Sequence, residues 1–150
     1  MTQTIPPPRT RELIRELVRA YQAFEQLSSN RIRQHGLTHA QFDVIATLGN
    51  TEGMSCKTLS EKTLITKGTL TGVLDRLLEK QLIARTVDAN DRRSLFVTLT
   101  AEGDALFRQA FPDVAGHISR AFDHMSDSEL AAASALLHQL RQALEHSQEP

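Results

Sequence analysis

One stretch of the sequence, residues 66–79, carries a polar face suited to contact with another molecule. Small, hydroxyl-bearing and cationic residues stand between its periodic leucines, namely Thr66, Lys67, Gly68, Thr69, Thr71, Gly72 and Arg76. Threonine hydroxyls and methyls can contact base edges, and a lysine can reach a base or a phosphate. Each glycine inside a helix costs about 1 kcal/mol, so two glycines favour close approach to a partner over a merely polar helix face.

A basic tip follows this stretch, between two segments with strand character. Asp91, Arg92 and Arg93 lie in the polar segment that separates residues 82–87 from residues 94–99. Arginines at a hairpin tip suit a narrow, electronegative minor groove, and Asp91 can hold one guanidinium in a fixed pose. Alone, such a tip would be a solvated turn. Its position directly after two short helices favours a DNA-contacting wing, and Ser55, at the start of the first of those helices, is a further DNA-contact candidate.

The single cysteine, Cys56, offers a different chemistry. It stands one residue inside a short predicted helix, where backbone N–H groups and the helix dipole would lower the pKa of the thiol. A redox switch is therefore one hypothesis. The alternative is that Cys56 is a small buried residue of the core, which is the commoner role of a lone cysteine.

Histidines and aromatic residues near the ends of three predicted helices suggest a ligand cleft. His35 and His39 straddle a turn, so metal ligation by this pair alone has little support. A pair of cation-capable side chains beside aromatic rings would suit a small aromatic anion. The candidate residues are Phe24, His35, His39, Phe42, Phe107 and Phe111. The alternative is that these residues form the core around a hinge.

Signatures of enzymes are missing from the sequence. It contains no Gly-x-Ser-x-Gly elbow, no His-Glu-x-x-His pair, no phosphate-cradling glycine loop and no dinucleotide fingerprint. We therefore expect no catalysis, no cofactor and no bound metal.

The elements that must position these residues are mostly helical. Three successive prolines at residues 6–8 predict a disordered leader over residues 1–9, and a helix from an N-cap at Thr10 to a stop at Gly36. Thr38 and Gln41 form a capping box for a second helix, which carries its inward residues at three- and four-residue spacing. Those inward residues are Phe42, Ile45, Ala46 and Leu48.

Two short helices and two strands come next. Ser55 and Thr66 are the predicted N-caps of the helices, and the hydrophobic period changes from 3.6 to 2 over residues 82–87 and 94–99. A helix-turn-helix followed at once by a hairpin is a winged helix. The pattern therefore predicts a winged helix-turn-helix domain over residues 37–99.

The terminal helices carry more apolar surface than a small winged-helix core can bury. Thr100 is the predicted cap of a fifth helix with Pro112 inside it, and Ser126 and Glu129 form a capping box for a sixth. We predict that residues 10–36 and 100–146 are dimerisation helices. The candidate interface residues are Leu13, Leu17, Val18, Tyr21, Ile118, Phe122, Leu130, Leu137, Leu140 and Leu144. The predicted fold class is mainly α with a small β-hairpin wing.

Composition agrees with a soluble globular protein. The chain has 150 residues, 40% of them hydrophobic, and a net charge of -1. Residues 31–99 carry a net charge of +3 and residues 100–150 a net charge of -5, so an anionic partner is expected to meet the middle of the chain. The sequence shows no run of about 18 apolar residues and no signal peptide, so we expect no membrane contact and a cytoplasmic location.

Several motifs resemble the MarR family of bacterial winged-helix regulators. The motifs are Gly68-Thr69-Leu70-Thr71, Leu74-Asp75-Arg76-Leu77, Glu79-Lys80, Leu82-Ile83-Ala84-Arg85, Asp88, Asp91-Arg92-Arg93 and Leu99-Thr100-Ala101-Glu102-Gly103. Two positions depart from the usual family pattern, because Gly72 stands where many members have arginine and Gln81 where glycine is usual. The first helix also lacks the reactive cysteine of the peroxide-sensing members, so Cys56 inherits no role from them.

The resemblance implies a homodimer, joined by its first, fifth and sixth helices, that binds a pseudo-palindromic double-stranded DNA operator. Release by a small, often phenolic, anion or by thiol oxidation is also implied. By position, Arg76 would face a phosphate and Arg93 the minor groove, with Asp91 orienting Arg93. The residues that would face the major groove are Thr66, Lys67, Thr69 and Thr71. Our leading interpretation is a ligand-responsive repressor, and the alternative is a dimeric winged-helix module that binds proteins and has weak or no specific DNA binding.

Overall fold

The computed structural model describes residues 5–87 and 89–147. Within these residues it contains six α-helices and three short β-strands, which confirms a mainly α fold with a small sheet. The helices are α1 (Pro8–Gln34), α2 (His39–Leu48), α3 (Cys56–Thr63), α4 (Lys67–Glu79), α5 (Ala101–Ser119) and α6 (Asp127–His146). The strands are β1 (Met54–Ser55), β2 (Ile83–Val87) and β3 (Leu95–Leu99).

The chain divides into two compact units near the end of α5. The first unit ends at His117 and holds α1 to α4, the sheet and most of α5, and the second unit begins at Ile118 and holds α6. The fifth helix is shorter than its apolar stripe predicted, because α5 ends at Ser119 and Phe122 lies in a separate 3-10 turn. In the described ranges, none of the helices has the length and apolar character needed to cross a membrane.

The first helix begins earlier than predicted. It starts at Pro8, so residues 8 and 9 are helical and do not belong to a leader, while residues 1–4 lie outside the described residues. Proline is well placed at the first helical position, since its missing N–H would have no partner there and its fixed φ already suits a helix. The predicted stop is confirmed, because α1 ends at Gln34 and Gly36 adopts a φ of 74°.

The core of the first unit lies where α2, α4, α5 and the sheet meet. Its buried residues include Val44, Ile45, Leu48, Leu59, Leu70, Leu74, Leu77, Ile83, Val97, Phe107 and Val114. The predicted inner face of α2 is wrong in two positions, because Phe42 and Ala46 are only half-buried whereas Val44 and Gln41 are buried. Gln41 points inward because the confirmed capping box places its amide oxygen 3.1 Å from the backbone nitrogen of Thr38.

The sheet has one strand more than the predicted hairpin. Its order is β1-β3-β2, all antiparallel, with Ile83 opposite Leu99, Val87 opposite Leu95, and Met54 opposite Val97. Two residues are too few for a period-2 pattern, so β1 gave no sequence signal. Gly53, directly before β1, has a φ of 103°, and a Cβ there would overlap the β3 backbone, so glycine is required for this pairing.

The wing is joined to α5 by a tight backbone junction. The backbone N–H of Thr100 donates to the carbonyl of Leu82 at 3.1 Å, and the Thr100 hydroxyl donates to the carbonyl of Gln81 at 2.7 Å. The same hydroxyl accepts from the backbone N–H of Gly103 at 3.0 Å, which confirms Thr100 as a cap. A Cβ at Gly103 would collide with the Leu82 carbonyl oxygen, so glycine is needed at this point of α5.

The second unit is organised by α6. Its predicted capping box is confirmed, since the Ser126 hydroxyl accepts from the Glu129 backbone at 3.2 Å and the Glu129 carboxylate accepts from the Ser126 backbone at 2.7 Å. These hydrogen bonds favour the charged carboxylate and lower the pKa of Glu129. Within the described part of α6, every residue is at least partly exposed.

Replacement of two glycines of the same helix should have opposite effects on stability. Gly103→Ala should lower the free energy of unfolding by about 1–3 kcal/mol, because its methyl group meets the Leu82 carbonyl. Gly116→Ala is the matched control: its added methyl meets only open space, so it should raise the free energy of unfolding by about 0.5–1 kcal/mol. Chemical denaturation of both variants is the measurement, and equal effects would contradict the assigned junction.

Candidate nucleic-acid interface

Side-chain hydrogen bonds hold the helix-turn-helix together. Ser55 is the confirmed N-cap of α3, with its hydroxyl accepting from the Thr58 backbone at 3.1 Å. At the turn, the Ser60 hydroxyl donates to the carbonyl of Ile65 at 2.6 Å, which ties α3 to the start of α4. Leu64 lies between them with a φ of 59° and a side chain that is 88% exposed. Because an exposed left-handed leucine contributes little to the core, the turn depends on these hydrogen bonds.

The helix α4 presents one apolar face to the core and one polar face to solvent. Leu70, Leu74 and Leu77 are buried, as predicted, while Val73 and Leu78 of the predicted inner face are half-buried. The polar residues Thr66, Lys67, Gly68, Thr69, Thr71, Gly72 and Arg76 are all exposed. A Cβ added at Gly68 or Gly72 would meet open space, so packing within the chain does not require either glycine.

The threonine hydroxyls of α4 are held by local contacts. Thr66 is the N-cap residue, but its hydroxyl contacts the Thr69 hydroxyl at 3.3 Å and makes no capping bond to the backbone, which corrects the predicted cap. The Thr71 hydroxyl donates to the Lys67 carbonyl at 3.1 Å. A hydroxyl that donates to its own helix still accepts, so these contacts fix the direction in which each threonine can meet a partner.

The wing tip is exposed and ordered by its aspartate. Asp91, Arg92 and Arg93 are all exposed. The Asp91 carboxylate accepts from the backbone N–H of Arg93 at 2.9 Å, and the Asp91 carbonyl accepts from that of Ser94 at 2.9 Å. The structure thus gives the Asp91 carboxylate a backbone partner, and its contact with a guanidinium stays a prediction. Asp91 shapes the turn and so places Arg93 indirectly, and Asp88 lies outside the described residues.

A cavity of about 400 Å³, which we name the wing cleft, lies between α4 and the wing. Its cationic lining residues are Lys57, Lys67, Arg85 and Arg93, and one carboxylate, Asp91, lies among them. Leu70, Leu74 and Leu95 also line it. The wing cleft therefore brings together cations from α3, α4, β2 and the wing tip, which are separated in the sequence.

Arg85 and Lys57 are cations of this cleft that the predicted DNA contacts did not include. The Arg85 guanidinium lies 3.3 Å from the Asp75 carboxylate, so it joins β2 to α4. The alternation of side chains along β2 could have indicated the position of Arg85. Arg85 is two residues after the buried Ile83, so both side chains lie on the same, inward face of the strand. A charged residue on an inward face needs a partner, and here Asp75 is that partner.

The expected reactivity of Cys56 is not supported by its surroundings. The thiol lines the wing cleft and is half-buried. Burial raises the pKa of Cys56, and the positive charge of Arg85 opposes that rise without reversing it. The prediction of a lowered pKa was wrong because desolvation of the thiolate outweighs the nearby charge.

Of the six candidate cleft residues, Phe107 and Phe111 lie on α5, and His35 contacts Asp113 of the same helix. Phe107 and Phe111 have ring centroids 5.3 Å apart, with Phe107 buried and Phe111 43% exposed. A Cβ at Gly49, directly after α2, would overlap the Phe107 ring, so α2 ends against this aromatic pair. Phe24 is exposed and Phe42 is half-buried.

Both candidate histidines already face carboxylates. The ring of His35 lies 2.7 Å from Asp113, and Arg31 binds the same carboxylate through two of its nitrogens. Arg31 and His35 together hold the pKa of Asp113 far below its ordinary value of 3.8. His39 lies 3.3 Å from Asp43, whose pKa is raised by burial although His39 opposes the rise. An anion bound here would therefore compete with Asp113 for Arg31 and His35, and with Asp43 for His39.

Comparison with known proteins places this geometry in a family. The family model named MarR matches residues 37–95, from just before α2 to the first residue of β3. The transcriptional regulator MhqR of Bacillus subtilis is 30% identical over 121 residues, which cover 81% of this chain and 83% of MhqR. The chain belongs to the MarR family.

Solved structures of MarR proteins agree with the fold. BpsR of Bordetella bronchiseptica, whose DNA binding is regulated by 6-hydroxynicotinic acid, is 32% identical, with a TM-score of 0.76 over 87% of this chain and 98% of that chain. A cysteine-to-serine mutant of MarR from E. coli, in complex with operator DNA, is 25% identical, with a TM-score of 0.79 over 86% of this chain and 93% of that chain. The MarR regulators are transcription factors, so membership confirms a winged-helix transcriptional regulator.

The pairing of Asp113 predicts how stability depends on pH. Because the folded state lowers the pKa of Asp113, its contribution to stability is complete above the ordinary value of 3.8 and is lost as pH falls toward the lowered pKa. Asp113→Asn should therefore reduce stability at pH 7 and weaken its decline below about pH 4. Urea denaturation between about pH 2.5 and 7 measures both effects.

Asp104→Asn is the control for this prediction, because Asp104 lies on the same helix in an exposed pair with Arg108, 2.8 Å apart. Exposed pairs contribute about 0–1 kcal/mol, so the Asp104 variant should follow the pH profile of the unmodified protein closely. An Asp113 variant with that same profile would contradict the assigned role of the carboxylate.

Proposed function

We propose that this MarR protein is a homodimeric, ligand-responsive repressor that places α4 in the major groove of an inverted-repeat operator and its wing in the flanking minor groove. The observation that carries the proposal is the exposed face of α4. Its two glycines face open space and stand beside hydroxyls and a lysine. A helix that accepts the cost of two glycines without an internal packing reason gains from them when a duplex comes close.

The spacing of residues along α4 supports a division of labour. Thr69, Gly72 and Arg76 recur at spacings of three and four, so they lie on one face of the helix. Thr69 and Arg76 are separated by about 10 Å along the axis, at 1.5 Å per residue. A major groove is about 12 Å wide, so a helix that places Thr69 near base edges brings Arg76 to the phosphates at the groove border. We assign Thr66, Lys67, Thr69 and Thr71 to the groove and Arg76 to a phosphate.

The wing supplies the second contact. The Asp91 turn exposes both Arg92 and Arg93, and Arg93 also borders the wing cleft beside α4. An arginine presented by a narrow hairpin suits the negative potential of a narrow minor groove. We assign Arg93 to that groove, with Asp91 holding the backbone that carries it.

Exposed apolar faces in both units support a dimer. On α1 the exposed residues include Leu13, Ile14, Val18 and Tyr21, with Tyr21 60% exposed, while Leu17 is half-buried. In the second unit, Phe122, Leu137 and Leu144 are exposed, and Ile118, Leu130 and Leu140 are half-buried. Contiguous apolar surface on a monomer marks an interaction site, and a second copy of the chain covers it most simply by two-fold symmetry. Two symmetric recognition helices then require an inverted-repeat operator.

An aromatic acid is the effector class that suits the α1–α2–α5 junction. The Phe107 and Phe111 rings offer an apolar surface, and Arg31, His35 and His39 lie on nearby segments with carboxylate partners that a ligand carboxylate could replace. Complete release of DNA, from 99% to 1% competent protein, needs about 10⁴-fold differential affinity, or roughly 5.5 kcal/mol. Two symmetric sites would need only about 100-fold each, so partial release at intermediate occupancy is expected.

Substitution of two arginines should separate base-dependent from base-independent binding. Arg93→Ala should cost about 1–3 kcal/mol on operator DNA and reduce the preference for A·T pairs at the edges of the site, because it removes a minor-groove contact. Arg76→Ala should weaken operator and random DNA equally and lower the slope of log affinity against log salt by about 1. Fluorescence anisotropy titrations at several salt concentrations measure both.

Arg108→Ala is the matched control, since Arg108 is 74% exposed on α5, away from α4 and the wing in the sequence. It should leave operator affinity within a factor of two. Equal losses on operator and random DNA for both the Arg93 and Arg76 variants would refute the division of labour. Random-DNA binding by the unmodified protein that is insensitive to salt would refute the DNA-binding function itself.

Calorimetric titration with salicylate-like aromatic acids tests the effector proposal. The acid should bind the free protein more tightly than the operator complex, because release of DNA requires that difference by linkage. Phe111→Ala should weaken binding of the acid, because it removes part of the ring surface. It should leave operator affinity unchanged, because Phe111 lies on α5 and not on α4 or the wing. Equal acid affinity with and without operator would show that occupancy and DNA binding are not coupled.

A further inference from the structure

A second cavity has a volume of about 400 Å³, and we name it the turn cleft. The residues at the end of α4 that line it are different from those that line the wing cleft. The walls of the turn cleft come from the end of α1, the α1–α2 turn, the first turns of α2 and the last turn of α4. Its charged lining residues are Arg33, Arg76, Glu79 and Lys80. Three cations thus face one carboxylate around a single opening, although they come from helices far apart in the sequence.

The ammonium group of Lys80 is held in position at this cleft. It donates to the carbonyl of Gly36 at 2.7 Å and to the amide oxygen of Gln41 at 3.1 Å. An ammonium has three protons, so two fixed acceptors leave one donor and the whole positive charge available to a ligand. Both acceptors are neutral, so neither cancels that charge. Arg33 and Arg76 are exposed, so their guanidinium groups can reach a ligand at the opening.

The turn cleft continues the face of α4 that we assign to DNA. Thr69, Gly72, Arg76 and Lys80 recur at spacings of three, four and four, and Lys80 keeps helical backbone angles as the C-cap. The stripe runs for about 16 Å at 1.5 Å per residue, and a recognition helix contacts base edges through its N-terminal residues. The end of the stripe therefore meets the sugar-phosphate backbone beyond the groove edge when Thr69 faces the bases.

We propose that the turn cleft is a composite phosphate-binding site, in which Arg33 and Lys80 join Arg76 in holding a single backbone phosphate of the operator at the border of the major groove. The ligand is a phosphodiester, which these three cations match in charge and hydrogen-bonding capacity. The site rests on the DNA-binding function proposed above, and it adds to that function a contact from α1, a helix otherwise assigned to dimerisation. Glu79 limits the net charge of the cleft, so the site favours a singly charged phosphodiester over a more highly charged anion.

Charge-neutral substitutions test the site through the salt dependence of binding. Arg33→Gln and Lys80→Gln should each reduce affinity for operator and random DNA about five- to tenfold at about 0.1 M salt and lower the salt slope by about 1. The ratio of operator to random affinity should stay unchanged, because a phosphate contact does not discriminate bases. Arg33→Lys keeps the positive charge, so it should show most of the salt slope that Arg33→Gln loses. Arg108→Gln, which removes the same charge from an exposed position on α5, should leave the slope unchanged.

A double variant distinguishes one shared phosphate from general attraction. If Arg33 and Arg76 hold the same phosphate, Arg33→Gln/Arg76→Gln should lose less affinity than the product of the two single losses. Arg33→Gln/Arg93→Gln should lose the full product, since Arg93 is assigned to another groove. Folding of each variant is checked by thermal melting, and Arg33 is a more informative position than Lys80 because Lys80 also holds Gly36 and Gln41 through hydrogen bonds.

The outcomes separate this site from the function on which it rests. One outcome is that Arg93→Ala and Arg76→Ala lower DNA affinity, while folded Arg33→Gln and Lys80→Gln leave the salt slope unchanged. That outcome would overturn the phosphate site in the turn cleft and leave the DNA-binding function standing. If the Arg33→Gln/Arg76→Gln variant lost affinity by the full product of the two single losses, the shared phosphate would be overturned. An unmodified protein whose random-DNA binding does not respond to salt would overturn both proposals.

Discussion

The position of the wing relative to α4 depends on the contact between the Leu82 carbonyl and the start of α5. That carbonyl lies at the entrance to β2, and it accepts the Thr100 backbone N–H at the exit of β3. Gly103 allows α5 to approach the same oxygen, so both ends of the hairpin and the first turn of α5 meet at one point. Because the start of β2 and the end of β3 are both held at this point, the hairpin can tilt relative to α5 only if the junction opens. The distance between the wing and α4 is therefore set by these backbone contacts together with the Asp75–Arg85 pair.

The α1–α2 turn is a second point where distant elements meet. On one side, His35 contacts Asp113 of α5, and on the other side the carbonyl of the next residue, Gly36, accepts from Lys80 at the end of α4. Only one peptide unit separates these two contacts. A ligand that displaced Asp113 would thus act on a segment that is hydrogen-bonded to the end of α4. Such contiguity provides a route for coupling, and the free energy of coupling itself is defined by the two binding equilibria.

The sequence predicted best those features that depend on neighbouring residues. The capping boxes of α2 and α6 and the Ser55 cap need only contacts within four residues, and all are confirmed. The features that it missed depend on residues distant in the sequence. The strand β1 exists only because β3 lies beside it, and the Asp75–Arg85 pair forms only once β2 packs against α4. The pKa of Cys56 was predicted in the wrong direction for the same reason, because a local helix dipole was visible and the burial was not.

The distribution of charge explains how a chain with a net charge of -1 can meet a polyanion. Among the residues that the structure describes, seven of the ten cations in residues 31–99 line the wing cleft or the turn cleft, whereas two carboxylates, Asp91 and Glu79, do so. The net charge governs the potential at a distance from the surface, whereas the nearest groups govern the potential at contact, since screening acts over about 8–10 Å. The acidic excess in residues 100–150 lowers the net charge of the chain and so limits long-range attraction to any DNA. Such an arrangement lowers the non-specific, salt-dependent share of binding and leaves more of the discrimination to the exposed face of α4.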